Sequence, residues 1–385
     1  MFINFWYAAC TSAELKDQPL KVTMLGHTFV VFRDSHGQAH VLSNVCTHRG
    51  GSLAGGKVRG DTVECPYHGW RFDGAGTCVK IPSLGPVDGA AVGGKIPART
   101  KIDTYPVEEK YGLVFAFLGD LPEAERPPIM EIPEYGKEGW RATVQQPGVW
   151  NIDYKRSIEN SIDPAHNEYV HDTHGFSGAR DDYRVHELNI KETTWGVGFH
   201  NKMHSPPLPE ARMRAASGRT ENAFIEAGTG HHGPSAVWTH IHPSPHAHIH
   251  QYLYETPIDE THTRVFLVTM RNFLTTEDDD KRIMERNMYV ALQDKAVLED
   301  VEPVETPRTN VHEVFMPADV PIARFREFCK EWERRGWRID RDKMAALRGR
   351  VATAIPSPGR RQSKGWVIDP VPLIAPAPEV KAAAE

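Results

Sequence analysis

Two short segments, Cys46-Thr47-His48 and Cys65-Pro66-Tyr67-His68, each supply one thiol and one imidazole, with sixteen residues between them. Both lie beside glycines, so the two loops can turn tightly and converge on one inorganic group. Structural zinc sites usually space their ligands C-x2-4-C and H-x3-5-H. Here the pattern is C-x-H followed by C-x2-H. A [2Fe–2S] cluster with two thiolates on one iron and two imidazoles on the other divides its ligands in this way. Cys46, His48, Cys65 and His68 are therefore expected to hold such a cluster in preference to zinc.

The stretch around these pairs reads as short strands cut by turns. From about residue 22 to 117, strand-like runs at His27–Phe32, Val63–Glu64, Thr77–Ile81 and Leu113–Leu118 alternate with turn signals at Asp34–Gly37, Asp73–Gly76 and Gly85–Gly94. This predicts a small all-β domain over 1–125 with the cluster loops at one end. The Pro-rich stretch Leu121–Pro133 marks a boundary. A catalytic-sized region over 135–350 then begins with a strand near Trp140–Val144, continues with a helix from about Asn151 to His171, and runs through several strands between Glu187 and Phe273. Helices follow over Thr276–Val301 and Ile322–Gly336, and a Pro/Ala-rich tail, 351–385, is expected to be loosely ordered. The fold class is α+β.

The first of those helices carries a second candidate site. Asn160, Asp163 and His166 recur every three residues and project roughly the same way. His171 lies five residues after His166, about 140° around a regular helix. Both rings can reach one ion only if the helix bulges or ends between them, and Pro164 suggests such an irregularity. A carboxylate is still wanted. On the later helix Ile283, Val290, Val297, Leu298 and Val301 form an apolar stripe that includes Asp294, with Asn287 its other polar interruption, while Glu299 and Asp300 fall on other faces. A carboxylate facing a core is costly unless paired or bound to metal. His166, His171 and Asp294 would make a 2-His-1-carboxylate facial triad for Fe(II) with positions open for O2. Taken alone, the same residues also fit an ion-paired Asp294 beside two satisfied histidines; a cluster in the same chain favours the iron.

Together the motifs resemble the α subunits of the Rieske non-haem iron oxygenases. The family's Glu-Asn-x-x-Asp-x-x-His-x4-His motif is met by Glu159, Asn160, Asp163, His166 and His171, and Asp294 fits the family's third iron ligand. The resemblance implies an N-terminal all-β Rieske domain followed by a helix-grip catalytic domain with a curved antiparallel sheet. It also implies a homotrimer, in which the cluster of one subunit serves the iron of its neighbour. Asp163 would bridge the two, hydrogen bonded to His68 of one chain and to His166 or His171 of the next; the lesser alternative is a local cap or turn residue beside Pro164. Asn160 and Asp163 are thus the candidate catalytic residues. The implied reaction draws NAD(P)H electrons through a separate reductase, with or without a ferredoxin. The α-only branch of the family, which works without a small subunit, points to monooxygenation (hydroxylation or O-/N-demethylation) of a small aromatic or cyclic substrate, with cis-dihydroxylation as the alternative.

Composition narrows the partners. A net charge of -6 without a basic run argues against nucleic acid or an anionic membrane, and no run of eighteen apolar residues suggests a membrane span. The N-terminus lacks the pattern of a signal peptide, and Cys10, Cys78 and Cys329 form no disulfide framework, so a reducing cytoplasm is expected, with each of the three a small buried residue. The substrate pocket is expected near His200–Phe273. In the run Thr239–His250, strand alternation puts His246, His248 and His250 on one face, and exposed strand residues are a simpler reading of them than a third metal site. Trp70 and Arg71 are expected to pack the cluster or to face the reductase.

A non-catalytic Rieske electron carrier is the rival. Such carriers have an extra Cys in each loop and a Ser after the second His-Gly pair, where this chain has Gly51, Tyr67 and Trp70. Fewer hydrogen bonds to the sulfurs leave the reduced cluster less stabilised. A redox titration should therefore return a midpoint near about -150 mV, and a value above about +100 mV would favour the carrier.

Overall fold

The computed structural model describes residues 1–85, 95–208 and 210–378. The chain divides into two compact units, Met1–Pro128 with Lys330–Glu385, and Ile129–Cys329. The Gly85–Gly94 turn lies, beyond Gly85, outside the described residues.

The first unit contains three small antiparallel sheets. One pairs Leu20–Met24, His27–Arg33, Ala39–Ser43 and Thr104–Tyr105; a second pairs Lys57–Arg59, Thr62–Glu64, Arg71–Asp73 and Cys78–Lys80; a third sets Leu113–Leu118 between Phe5–Thr11 and Val107–Lys110. The Asp34 and Asp73 turns close as expected, with Gly37 N and Gly76 N donating to the Asp34 and Asp73 carbonyls at 3.0 and 2.9 Å. Val30, Phe32, Leu42, Leu53, Val63 and Phe72 form a buried core that includes Cys46 and Cys65.

The end of the chain departs from expectation. The 330–350 stretch, expected in the second unit, belongs to the first, and the described part of the 351–385 tail is tied down. Ile355 is fully buried, and its carbonyl accepts from the Tyr105 hydroxyl at 2.8 Å. The buried Asp103 carboxylate receives Arg360 Nε and Nη2, both at 2.7 Å, and Ser357 Oγ at 2.7 Å. Proline and alanine content suggested a loose tail; a buried ion pair and the Thr353–Ala354 pairing with Asp369–Pro370 hold it instead.

The second unit is built on a seven-stranded antiparallel sheet. Its strands are β1 (Arg141–Trp150), β2 (Asn189–Thr193), β3 (Gly196–Ser205), β4 (Ala223–His232), β5 (Ala236–Ser244), β6 (Ala247–Pro257) and β7 (Thr263–Arg271), in the order β1-β7-β6-β5-β4-β3-β2. Alternation gives each strand two faces. Asn201, Ile225, Ala227, Thr239, Ile241 and Gln251 face a cavity, whereas His200, His240, His242 and His250 alternate with them.

Helices cover the cavity face. The single helix expected over Asn151–His171 is two, α1 (Tyr154–Ser161) and α2 (His166–Val170). Asp153 caps α1 by accepting from Lys155 N at 3.0 Å. Proline disfavours helical geometry in the residue before it, so Pro164 stops α1 before Asp163. The long helix, α4 (Glu277–Leu298, after α3 at Ala211–Ser217), begins with four acidic residues, Glu277–Asp280, at its positive end. Its inward face runs through Ile283, Asn287, Ala291, Asp294 and Leu298; Val297, expected on the stripe, is 48% exposed because it lies one residue off that face. The next helix covers Val320–Arg334.

Candidate active site

The two cluster loops have the same construction. Cys46 N donates to the Gly51 carbonyl at 2.9 Å and its carbonyl accepts from Gly50 N at 2.9 Å; Cys65 N donates to the Trp70 carbonyl at 2.7 Å and its carbonyl accepts from Gly69 N at 2.9 Å. Gly50 and Gly69 have φ of 71° and 70°, left-handed conformations that glycine adopts without cost. A Cβ on Gly51 would stand 2.9 Å from Cys65 Sγ, so an ordinary side chain there collides with a ligand.

These loops place the cysteines in the core and the imidazoles outside. Cys46 and Cys65 are buried, while His48 and His68 are exposed with ring centroids 4.4 Å apart. Burial pushes the Cys46 thiol up to about 12, so a thiolate there needs a positive group beside it. Two inward sulfurs and two outward nitrogens fit a [2Fe–2S] cluster with split ligation. Trp70 stacks on His48 at 4.4 Å and 4°, and Arg71 Nε donates to Glu64 Oε2 at 2.7 Å.

In the second unit the end of α2 brings His171 back beside His166 and Asp294, one donor atom of each within 4.8 Å of the others. His171 caps the end of α2 with extended backbone (φ -109°, ψ 113°), which swings its ring back toward His166. His166 Nδ1 is bonded to the Asp163 carbonyl at 2.8 Å and His171 Nδ1 to Gln293 Oε1 at 3.1 Å. That leaves both Nε2 atoms toward Asp294 Oδ1, at 3.7 and 3.2 Å. An octahedral ion with bonds of about 2.1 Å separates adjacent donors by about 3 Å, so the set fits a facial triad. Despite burial, His171 and His166 hold the Asp294 carboxyl below its usual range, as an anionic ligand requires.

Supporting residues fix each donor. Asn160 Nδ2 donates to Asp294 Oδ1 at 3.0 Å, so it orients the carboxylate. Asp163 Oδ1 and Oδ2 accept from Ala165 N and His166 N at 2.8 and 3.0 Å, which makes Asp163 a local cap of α2. Glu159, buried beneath the site, receives Arg326 Nε and Nη2 at 2.7 and 2.8 Å and so fixes the rotation of α1. Sequence reasoning missed four neighbours. Gln293 orients His171 and is itself bound to Asp172 at 3.0 Å. His174 stacks on His171 at 4.5 Å, and burial pulls its pKa well down, so the ring is neutral. Arg286 lines the cavity with its Nε unpartnered. Glu255 is completely buried; neither carboxyl oxygen has a partner of good geometry, and nearby Ser157 gives only weak relief. Gln293 sits beside Asp294 on α4, where a hunt for further polar neighbours of the carboxylate would have found it; the other three carried no motif.

The triad opens into a cavity of about 1210 Å³, part of it continuous with solvent. Its wall is largely apolar, including Phe199, Ile225, Ile241, Ile249, Val290 and Leu267, and lies where the sheet over His200–Phe273 was expected to form it. The His-rich run differs from expectation. His246 is exposed in the hairpin turn and His250 is buried, and His242, from the facing strand, joins His248 and His250 in its place.

Residues 5–106 match the Rieske [2Fe-2S] domain, and residues 150–335 match the vanillate O-demethylase oxygenase C-terminal domain. Cholesterol 7-desaturase nvd 1 of Ciona intestinalis is 39% identical over 184 residues, 46% of this chain and 37% of that protein. The oxygenase component of 3-ketosteroid-9-alpha-monooxygenase from Rhodococcus rhodochrous is 33% identical over 176 residues, 44% of this chain and 43% of that protein. The chain thus spans less than half the length of either relative in these matches. The solved structure of dicamba monooxygenase bound to 3,6-dichlorosalicylic acid has a TM-score of 0.72 at 23% identity, over 90% of this chain and 98% of the other, a likeness of fold.

Glu255 gives the site a measurable pH dependence. Burial, with a further push from Asp294, raises its pKa to about 8, against about 4.3 when unfolded. The folded state therefore binds this proton more tightly, and stability falls as pH rises from about 4 to about 8. Thermal unfolding of E255Q across that range should show a flatter slope, the variant gaining on the wild type by a few kcal/mol toward the alkaline end. Parallel slopes would mean that Glu255 ionises normally.

Proposed function

The chain belongs to the Rieske non-haem iron oxygenase α subunits, and we propose that it is a monooxygenating terminal oxygenase acting on a small aromatic or cyclic compound. The observation that carries this is the facial triad of His166, His171 and Asp294, open to a large apolar cavity, in a chain that also carries the cluster loops. When bound, the iron supplies O2 activation and the cluster supplies single electrons, which originate in NAD(P)H and arrive through a separate reductase, with or without a ferredoxin.

The chain's own residues define the rest. His166, His171 and Asp294 would hold the iron; Gln293, the Asp163 carbonyl and Asn160 orient them, as partners behind metal ligands do. The apolar wall excludes water from the reacting carbon. Arg286 is placed to receive an acceptor group of the substrate, such as a carboxylate or carbonyl. The two relatives, named for a sterol and a 3-ketosteroid, add fused alicyclic rings to the substrate class. The proposal includes a homotrimer in the cytoplasm, with Asp163 bridging the cluster of one subunit to the iron of the next. No described helix is long and apolar enough to cross a membrane.

The test is NADH-coupled turnover with a surrogate reductase on aromatic acids, methoxyarenes, N-methyl compounds and 3-ketosteroids. A hydroxylated product, or formaldehyde from a methyl substrate, supports monooxygenation; a diol indicates cis-dihydroxylation; NADH use without product from any class sinks the oxygenase reading. H171A should lose the mononuclear iron while keeping the cluster's visible spectrum, and unchanged iron content would refute the triad. D163N keeps a capping oxygen for α2 and should retain both metals yet lose coupled turnover. Full turnover in D163N would remove the bridging role.

A further inference from the structure

We propose that His242, His248 and His250 form a third, separate metal site, for one zinc-class divalent ion, on the face of the sheet turned away from the iron cavity. One nitrogen of each ring lies within 4.8 Å of the others. His242 and His248 come from opposite sides of the β5–β6 hairpin, and their rings stack with centroids 4.1 Å apart. The neighbours in sequence, Ile241, Pro243, Ile249 and Gln251, line the iron cavity. Alternation thus separates the two sites by the thickness of the sheet.

The arrangement behind His250 points to a ligand. Its Nδ1 meets Glu134 Oε1 at 2.9 Å, and the other carboxylate oxygen accepts the Tyr252 hydroxyl at 2.8 Å. A carboxylate that holds Nδ1–H leaves Nε2 as a lone pair, the partnership commonly found behind metal-binding histidines. That Nε2 faces His242 Nε2 at 3.0 Å. A tetrahedral ion with Zn–N bonds of about 2.0–2.1 Å holds its nitrogens about 3.3–3.4 Å apart, so this pair needs only a slight opening. Trp140 covers His250 at 5.0 Å, and His240 stacks on it at 3.9 Å, bonded through its own Nε2 to Tyr252. His242 and His248 are half-exposed, which leaves a way in for the ion and room for a water as fourth ligand.

The donor set selects the metal. Imidazoles suit zinc, copper, nickel or iron, whereas calcium and magnesium take oxygen donors. The Glu134 carboxylate, bonded to both His250 and Tyr252, offsets part of the charge of the ion.

The experiment loads iron-replete holoenzyme with zinc chloride, removes free ion by gel filtration and counts zinc and iron per chain by mass spectrometry. Wild type should retain one zinc without losing iron. H242Q/H248Q should lose the zinc while keeping its iron content and visible spectrum. H171A should still bind zinc, which separates this site from the iron triad. E134Q, which leaves all three ligands in place, should bind zinc about 10- to 100-fold more weakly. No retained zinc in wild type, or equal zinc in H242Q/H248Q, overturns the proposal, as does zinc that is lost in H171A.

Discussion

In a continuous helix the imidazoles of His166 and His171 would point about 140° apart, and no single ion could take both. One interruption removes that obstacle: α2 ends at Val170 and turns His171 back through an extended conformation, while Pro164, upstream of both rings, separates α2 from α1. The Asp163 carboxylate then restarts the helix by capping it, while its carbonyl holds the His166 ring. Backbone geometry therefore places the donors. The sheet, the cavity and the orienting residues are all arranged around that broken segment.

The break would be a weakness if α1 were free to rotate. Its underside carries Glu159, and the bidentate contact with Arg326 is buried on both sides, with Arg156 and Glu313 completing the network. Removing one partner from such a buried pair costs on the order of 3–5 kcal/mol, because the other charge is stranded. A second polar set, Gln145, Thr269 and Asn287, ties α4 to the sheet at 2.9–3.3 Å. The two helices are thus fixed by directional contacts, as suits ligands that must stay within a few tenths of an ångström. Glu255 is the opposite case, a carboxyl kept in the same interior with no strong partner.

Much of this was legible in the residue pattern, because metal ligands impose spacings that few other demands produce. The twin cluster-loop motifs and the convergence of His166, His171 and Asp294 were readable, and even the need for a helix break followed from counting residues. What stayed hidden is what alternation and spacing cannot see. Arg286 and Gln293 act through long, flexible side chains, and Glu134 reaches His250 across 116 positions of sequence. The His-rich run misled because alternation treats a strand as isolated. A hairpin turn removes His246 from the strand, and the facing strand then supplies His242. The tail misled through composition, which says nothing about one arginine finding a buried aspartate.

That tail gives the first unit a discontinuous sequence. Asp103 and Tyr105 are translated early, yet their partners Arg360, Ser357 and Ile355 leave the ribosome about 250 residues later. The intervening Ile129–Cys329 forms its own compact body and can close while those groups still wait. All of Ile129–Cys329 is thus made before the first unit has its full sequence, and the carboxylate of Asp103 stays without its arginine until the final stretch of chain arrives.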